Sequence, residues 1–260
     1  MDLGLADRRA VITGGSKGIG FAIARELVAE GTAVALCARD GQEVRRAADE
    51  LKAQGGSVHG FVADVTRPDE VTAFIDAAAD ALGGVDILVN NAGAAHPGTF
   101  ETLTDDAWQG DIDVKLFSQI RCTRAALPHL RASHAARVIN INAVYARYPD
   151  PAFFATTVNR AACLNFSKAL AIELGPEKIL VNSVNIGFVA TPQWENIRQR
   201  RAPDLSPDDF FATLASQEVP LGRFGDVEEV AGVVAFLASR RASYLTGVSI
   251  DVAGGMGRYV

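Results

Sequence analysis

The sequence predicts a three-layer α/β protein, a doubly wound parallel sheet with helices on both faces, formed by residues 1–260 as one domain. Three observations lead there. Short apolar or β-branched runs alternate with longer helical patterns along the whole chain. The runs are almost continuously apolar, as strands buried on both faces are, whereas a half-exposed strand would alternate with polar residues. No linker, repeat or low-complexity stretch divides the chain. Right-handed crossovers then wind the chain across both faces of the sheet.

In order, the first strand is predicted at 9–13 (Arg-Ala-Val-Ile-Thr), followed by a glycine-rich turn and a helix at 18–30. A strand at 33–38 leads to a helix at 43–54, and a strand at 57–62 to a helix at 69–82. The short run 87–89 precedes a long helical pattern at 107–133. Strand 137–141 is followed by a helix at 154–174 and a strand at 180–184. A helix at 227–238 and a strand at 248–251 close the order. Between 190 and 220 the pattern loosens around Pro192, Pro203, Pro207 and the run Arg198 to Arg201. An insertion of that size is more often functional than idle. A helical lid beside a substrate pocket is expected there, with a solvated excursion as the alternative.

Composition narrows the partners. A formal net charge of −6, with no basic block, disfavours nucleic acid and anionic membrane. The N-terminus has no basic region followed by an apolar stretch, and the apolar run near 230–238 is too short to cross a bilayer. Cys37, Cys122 and Cys163 are too widely spaced for a disulfide framework or a zinc site, so buried thiols in a reducing cytoplasm are expected. No His/Cys/Asp cluster has metal-ligand spacing.

The chemistry begins at Thr13-Gly14-Gly15-Ser16-Lys17-Gly18-Ile19-Gly20, which runs from strand straight into helix. Glycines let backbone approach a pyrophosphate, and the helix start supplies amide donors and the positive dipole end. The spacing of Thr13, Gly14, Gly18 and Gly20 resembles the glycine motif of the short-chain dehydrogenase/reductase family, and further matches follow in order. They are Asp64-Val65 after the third strand, Asn90-Asn91-Ala92-Gly93 after the fourth, the segment from Val181 to Gly187, Thr191-Pro192, and Tyr244 to Gly247 with Asp251 to Gly255 near the end. The resemblance covers nearly the whole chain and implies a Rossmann fold. It also implies a nicotinamide dinucleotide held by Gly14, Ser16, Gly18, Ile19 and Gly20, with Asp64 and Val65 at the adenine, Asn91 and Gly93 beside the cleft, and Thr191 at the carboxamide. Members that prefer NAD end the second strand in a carboxylate; here Ala38 and then Arg39 stand there, and Asp40 falls a step late. A 2′-phosphate wants charge-assisted donors, which Lys17 and Arg39 would supply, so NADP(H) is the expected cofactor.

The resemblance also implies four catalytic side chains, and this chain departs at each. Lys115 stands where the family's asparagine is expected, Ala143 at the serine, Thr156 at the tyrosine and Arg160 at the lysine. No tyrosine of the chain has a lysine four residues later. Thr156 is too weak an acid to do a phenol's work, and Arg160 can hold ribose but cannot shuttle protons. Lys115 is read either as a substitute acid and oxygen-polarising group or as a space-filling charge at the cleft edge. Tyr145 is read as a replacement phenol or a packing aromatic, and His96 as a residue that reaches the pocket or does not.

Three functions stay open. The first is an atypical NADP(H)-binding oxidoreductase acting on a small carbonyl, alcohol or enone substrate through substitute acid–base residues. The others are a non-redox enzyme of lyase or isomerase type, and a catalytically silent NADP(H)-binding protein. The long fourth and fifth helices resemble those through which family members form homodimers and homotetramers.

Overall fold

Seven strands form one all-parallel sheet in the order β3-β2-β1-β4-β5-β6-β7. The computed structural model describes residues 2–257 and 259. The strands are β1 (Arg9–Thr13), β2 (Ala33–Ala38), β3 (Val58–Val62), β4 (Ile87–Asn90), β5 (Arg137–Ala143), β6 (Leu180–Ile186) and β7 (Ser249–Val252). The order reverses between β1 and β4, which pair from Ala10↔Ile87 to Ile12↔Val89. At such a reversal the loops beyond the strands part, leaving a crevice at their carboxyl ends.

Every predicted strand is present, but β5 and β6 run two residues beyond the predicted ends, pairing through Asn142↔Asn185 to Ala143↔Ile186. Asparagine ends an apolar run in sequence. Here the side-chain amide donors are served inside the sheet: Asn185 Nδ2 donates to Ser249 Oγ and Asp251 Oδ1, each at 2.7 Å. A second buried seam crosses the sheet, where Asn90 Nδ2 donates to Asn140 Oδ1 at 2.8 Å and Asn140 Nδ2 to Ser167 Oγ at 2.8 Å.

Helices cover both faces. On one lie α1 (Gly18–Ala29) and α2 (Gly41–Ala53), with the last long helix, Val227–Ala238; Ile23, Leu27, Leu51 and Val234 pack there against Ile12 and Leu36. On the other, α3 (Pro68–Leu82) contributes Phe74 and Ile75, packed with Cys122, Leu130 and Leu174 against Val11, Leu88 and Val138.

The helix predicted at 107–133 is not continuous. It divides into α4 (Asp105–Ile112), a π-helical turn (Asp113–Phe117) and α5 (Ser118–Arg131). The Ser118 amide reaches back five residues to the Asp113 carbonyl, so the Val114 carbonyl loses its ordinary amide partner. The Ser118 hydroxyl replaces it, donating to Val114 O at 2.8 Å. This turn carries Lys115.

After α6 (Phe154–Leu174), the 190–220 stretch folds as α7 (Pro192–Arg201) and α8 (Pro207–Glu218), followed by α9 (Val227–Ala238). Pro192 and Pro207 each open a helix, where proline's missing N–H costs nothing. The stretch is not a solvated excursion, since α8 buries Phe210 and Ala215. Trp194 packs edge-on to Phe188 with centroids 4.8 Å apart.

Candidate active site

Every residue assigned above to the cofactor, with Lys115, Tyr145, Thr156 and Arg160, borders one cavity of about 490 Å³ at the β1/β4 crevice, whereas His96 does not border it. Its outer half is the glycine turn. Gly14 has φ +65°, and a Cβ on Gly20 would stand 2.3 Å from the Gly14 carbonyl oxygen, so both positions require glycine. Asn91 ties the turn to β4, donating from Nδ2 to Thr13 O and Gly14 O at 3.0 Å each, while Thr13 Oγ1 accepts from the amides of Asn91 and Ala92. Lys17 precedes α1 in extended backbone and its side chain does not cap the helix. The first amides of α1 therefore remain available to an anion, as a dinucleotide pyrophosphate requires.

At the end of β2 both Arg39 and Asp40 are exposed. Asp40 is occupied in starting α2, accepting from the amides of Gln42 at 2.8 Å and Glu43 at 3.0 Å. That N-cap holds its carboxyl below the usual range, and it explains why this acid is not free to clasp ribose. Lys17 Nζ lies 2.9 Å from Glu43 Oε1, an exposed pair of little net worth that a phosphate dianion can displace. Asp64 Oδ1 accepts from the amide and hydroxyl of Thr66, at 2.9 and 2.8 Å, which fixes that part of the cavity wall.

The inner half holds a charge cluster. Lys115, which the sequence left between a catalytic role and a charge at the cleft edge, has a side chain with no exposed surface. Its Nζ donates to Ala94 O at 2.7 Å and to Asp111 Oδ1. Asp111 is equally buried. Its Oδ1 also meets His96 Nδ1 at 2.8 Å and the Thr156 hydroxyl at 3.5 Å, and its Oδ2 accepts from Asn159 Nδ2 at 2.8 Å. Burial pushes the Asp111 carboxyl up, but donation from His96 and Lys115 outweighs it and holds the group at about 2. For Lys115 burial dominates; with the nearby Arg160 guanidinium it outweighs Asp111 and brings the ammonium down to about 8.

Arg160 is buried against the cavity. Its Nη1 donates to Ile141 O at 2.8 Å, and its Nε has no protein partner. An orphaned buried donor beside the cradle fits a ribose hydroxyl. Thr156 borders the cavity with its hydroxyl in the Asp111 cluster. Tyr145 stacks on Phe153, with centroids 5.5 Å apart. Burial, then Asp150, pushes its phenol well above its ordinary value, making it a poorer proton donor, and the packing reading accounts for it. Thr191 begins α7 at the cavity edge.

Two members of the cluster, Asp111 and Asn159, were missed by sequence reasoning. The available signal was Asp111 standing one helical turn before Lys115, the spacing at which side chains meet. His96, weighed as uncertain, does reach the cluster. No group of metal-ligating side chains occurs among the described residues. The three cysteines are free and buried. No helix of the described residues is long and apolar enough to cross a membrane.

A family model described as Enoyl-(Acyl carrier protein) reductase matches residues 14–257. The chain is 38% identical to a short-chain oxidoreductase from Pseudomonas aeruginosa PAO1, solved with NADPH bound and described as containing an atypical catalytic center; the match covers 97% of this chain and 98% of that one, with a TM-score of 0.91. L-sorbose reductase from Gluconobacter frateurii, solved with NADPH and L-sorbose, is 34% identical over 100% of both chains, with a TM-score of 0.96. Short-chain reductase protein NovJ of Streptomyces niveus is 36% identical, over 95% of this chain and 92% of its own length. With the strand order and glycine turn, these likenesses establish that the chain belongs to the short-chain dehydrogenase/reductase family.

Proposed function

We propose that the protein is an NADP(H)-dependent oxidoreductase in which Lys115 performs the proton transfer that a tyrosine performs elsewhere in the family. One observation carries this reading: a wholly buried ammonium forms part of the cavity wall and uses two of its three protons on Asp111 and Ala94. The third is available to a substrate oxygen. NADPH supplies the hydride when bound. The amides of α1 hold its pyrophosphate, Lys17 and Arg39 its 2′-phosphate, and Arg160 its ribose. Lys115 polarises the carbonyl oxygen and donates the proton that completes the alcohol. Asp111 holds Lys115 in place, and Thr156 contributes a hydroxyl to the same wall.

The substrate side favours an apolar carbonyl or enone over a polyol. Phe153, Phe188, Trp194, Val144 and Met256 border the cavity, and a sugar's hydroxyls would lose water there without replacement partners. Helices α7 and α8 act as the substrate lid, with Pro192, Gln193 and Trp194 on the cavity side. Val158 and Ile172, exposed four turns apart on α6, support self-association as a homodimer or homotetramer. The three buried thiols agree with a cytoplasmic setting.

The test is NADPH oxidation with aryl ketones, quinones and cyclic enones beside a ketohexose. Turnover of the apolar set supports the reading. NADPH binding with no turnover of any carbonyl overturns it in favour of a silent binder, and nucleotide-independent turnover in favour of a non-redox enzyme. The cofactor assignment has its own check. Lys17→Ala with Arg39→Ala weakens NADPH by about 10²- to 10⁴-fold, at about 1.5–3 kcal/mol for each of the two charge-assisted contacts, and leaves NADH nearly unchanged. Equal losses for both nucleotides in calorimetry refute the 2′-phosphate contacts.

A further inference from the structure

We infer that His96 is the proton entrance of this site, returning a proton from solvent through Asp111 to Lys115 after each turnover. The inference rests on the reading of Lys115 as the proton donor and adds how that donor is recharged.

A buried amine that has given up its proton needs a route to water. The groups around Lys115 offer few. Ala94 contributes a carbonyl, which has no proton to give. Arg160 keeps its proton. The Cys163 thiol on α6 is pushed up by burial and is a poor donor. Asn159 holds Asp111 Oδ2 through an amide that does not exchange charge. The Thr156 hydroxyl stands 3.5 Å from Asp111 Oδ1, at the limit of a hydrogen bond, and is itself buried. Substrate and nucleotide would close the cavity side during turnover. Among the described residues whose side chains touch Asp111, His96 alone is open to water, with 47% of its side chain exposed while Asp111 and Lys115 have none.

The geometry suits a relay. Oδ1 of Asp111 receives both Lys115 Nζ and His96 Nδ1, the latter at 2.8 Å, so one oxygen joins donor to entrance. The loop carrying His96 is pinned to both neighbouring elements. The Ala95 amide donates to Gln193 Oε1 on α7 at 3.1 Å, and the Gly98 amide to Ala152 O at 2.8 Å.

The protons balance. Nζ–H breaks and the product O–H forms, leaving an amine. The imidazolium gives its Nδ1 proton to Oδ1, and Oδ1 hands that same proton on to Nζ, so imidazolium and amine become imidazole and ammonium and the carboxylate is regenerated. The imidazole, left with its proton on Nε2, then takes a new one from water at Nδ1 as the half-exposed ring turns toward solvent. No electron pair beyond the hydride is moved.

His96→Asn is the test variant, since a half-exposed position tolerates replacement. In stopped flow with NADPH and an aryl ketone, its first turnover keeps the wild-type rate because Lys115 starts charged. Later turnovers slow by about 10²-fold, the low end for a positioned proton-transfer group. The trace becomes a burst of one NADPH per site, KM for the ketone is unchanged, and added imidazole speeds only the slow phase. A readout independent of turnover is the nitrogen NMR of nucleotide-free protein, where Nδ1 of His96 carries a proton held by Asp111 that exchanges with water faster than the enzyme turns over. An unprotonated Nδ1, exchange slower than turnover, or His96→Asn with no burst and no response to imidazole overturns the relay. If Lys115→Met still turns over many times at the wild-type rate, the reading of Lys115 itself fails, and the relay fails with it.

Discussion

Lys115→Met lowers kcat/KM for carbonyl reduction by about 10²- to 10⁴-fold, the range for losing a positioned acid, and leaves NADPH affinity within about twofold. Methionine approximates the lysine's length without charge or protons. Asp111 loses its buried partner, so NADPH affinity and a melting curve measured beside the rate separate lost chemistry from destabilisation. The pH profile gives the same residue a second signature. Burial and Arg160 bring the ammonium down to about 8, and reduction needs the charged form. The reduction rate therefore falls as pH rises through about 8, while alcohol oxidation, which needs the neutral amine, rises over the same window. Steady-state profiles in both directions test this. A reduction rate flat to pH 10 excludes Lys115 as the donor.

Asp111→Asn should produce the largest loss of stability, about 3–5 kcal/mol, as expected when one partner of a buried ion pair is removed. Both carboxylate oxygens accept hydrogen bonds, from Lys115, His96 and Asn159. An amide replaces one acceptor by a donor that faces another donor, and Lys115 and Arg160 are left buried with no counter-charge. In a chain of this length the melting temperature falls by about 10 °C or more. Acid titration of the wild type carries the same information. With its folded pKa depressed to about 2, Asp111 contributes stability that is present above its ordinary value near 4 and lost as pH falls toward 2. Lys115, also lowered, changes stability with pH in the same direction although its charge is disfavoured by burial. Its desolvation penalty is present below about 8 and is relieved as pH rises toward the unfolded value of 10.5. Calorimetric scans of wild type and Asp111→Asn across this range check both. An Asn variant as stable as wild type at pH 7 would mean that the pair is dispensable.

The glycine turn and the strand order were legible because both rest on local pattern: backbone room at Gly14 and Gly20, and unbroken apolar runs such as 33–38. The charge cluster was legible only in fragments. Lys115 stood out as a departure from the family's pattern, but its partner Asp111 is held by Asn159, 48 positions further along the chain and a whole βα unit later. His96 looked like one loop histidine among others until the fold brought it to Asp111. The strand ends at Asn142 and Asn185 were missed because a polar residue reads as an ending unless its cross-strand partner is known. The π-turn left no local mark either, since nothing in the residues Asp113–Phe117 distinguishes them from ordinary helix until the hydrogen bond from Ser118 to Asp113 is seen.

That turn has a further consequence. A π-turn holds one residue more than an α-turn. Deleting a single residue from Asp113–Phe117 would let the segment wind as an ordinary α-helix, with Cys122, Ala126 and Leu130 keeping their inward face. Lys115 lies inside the turn, so the same deletion would shift it against Ala94 and Asp111. Natural variants of this chain that lose one residue here should therefore keep the fold and lose the buried ammonium, whereas an inserted or deleted residue elsewhere in α5 would turn its inward face away from the sheet.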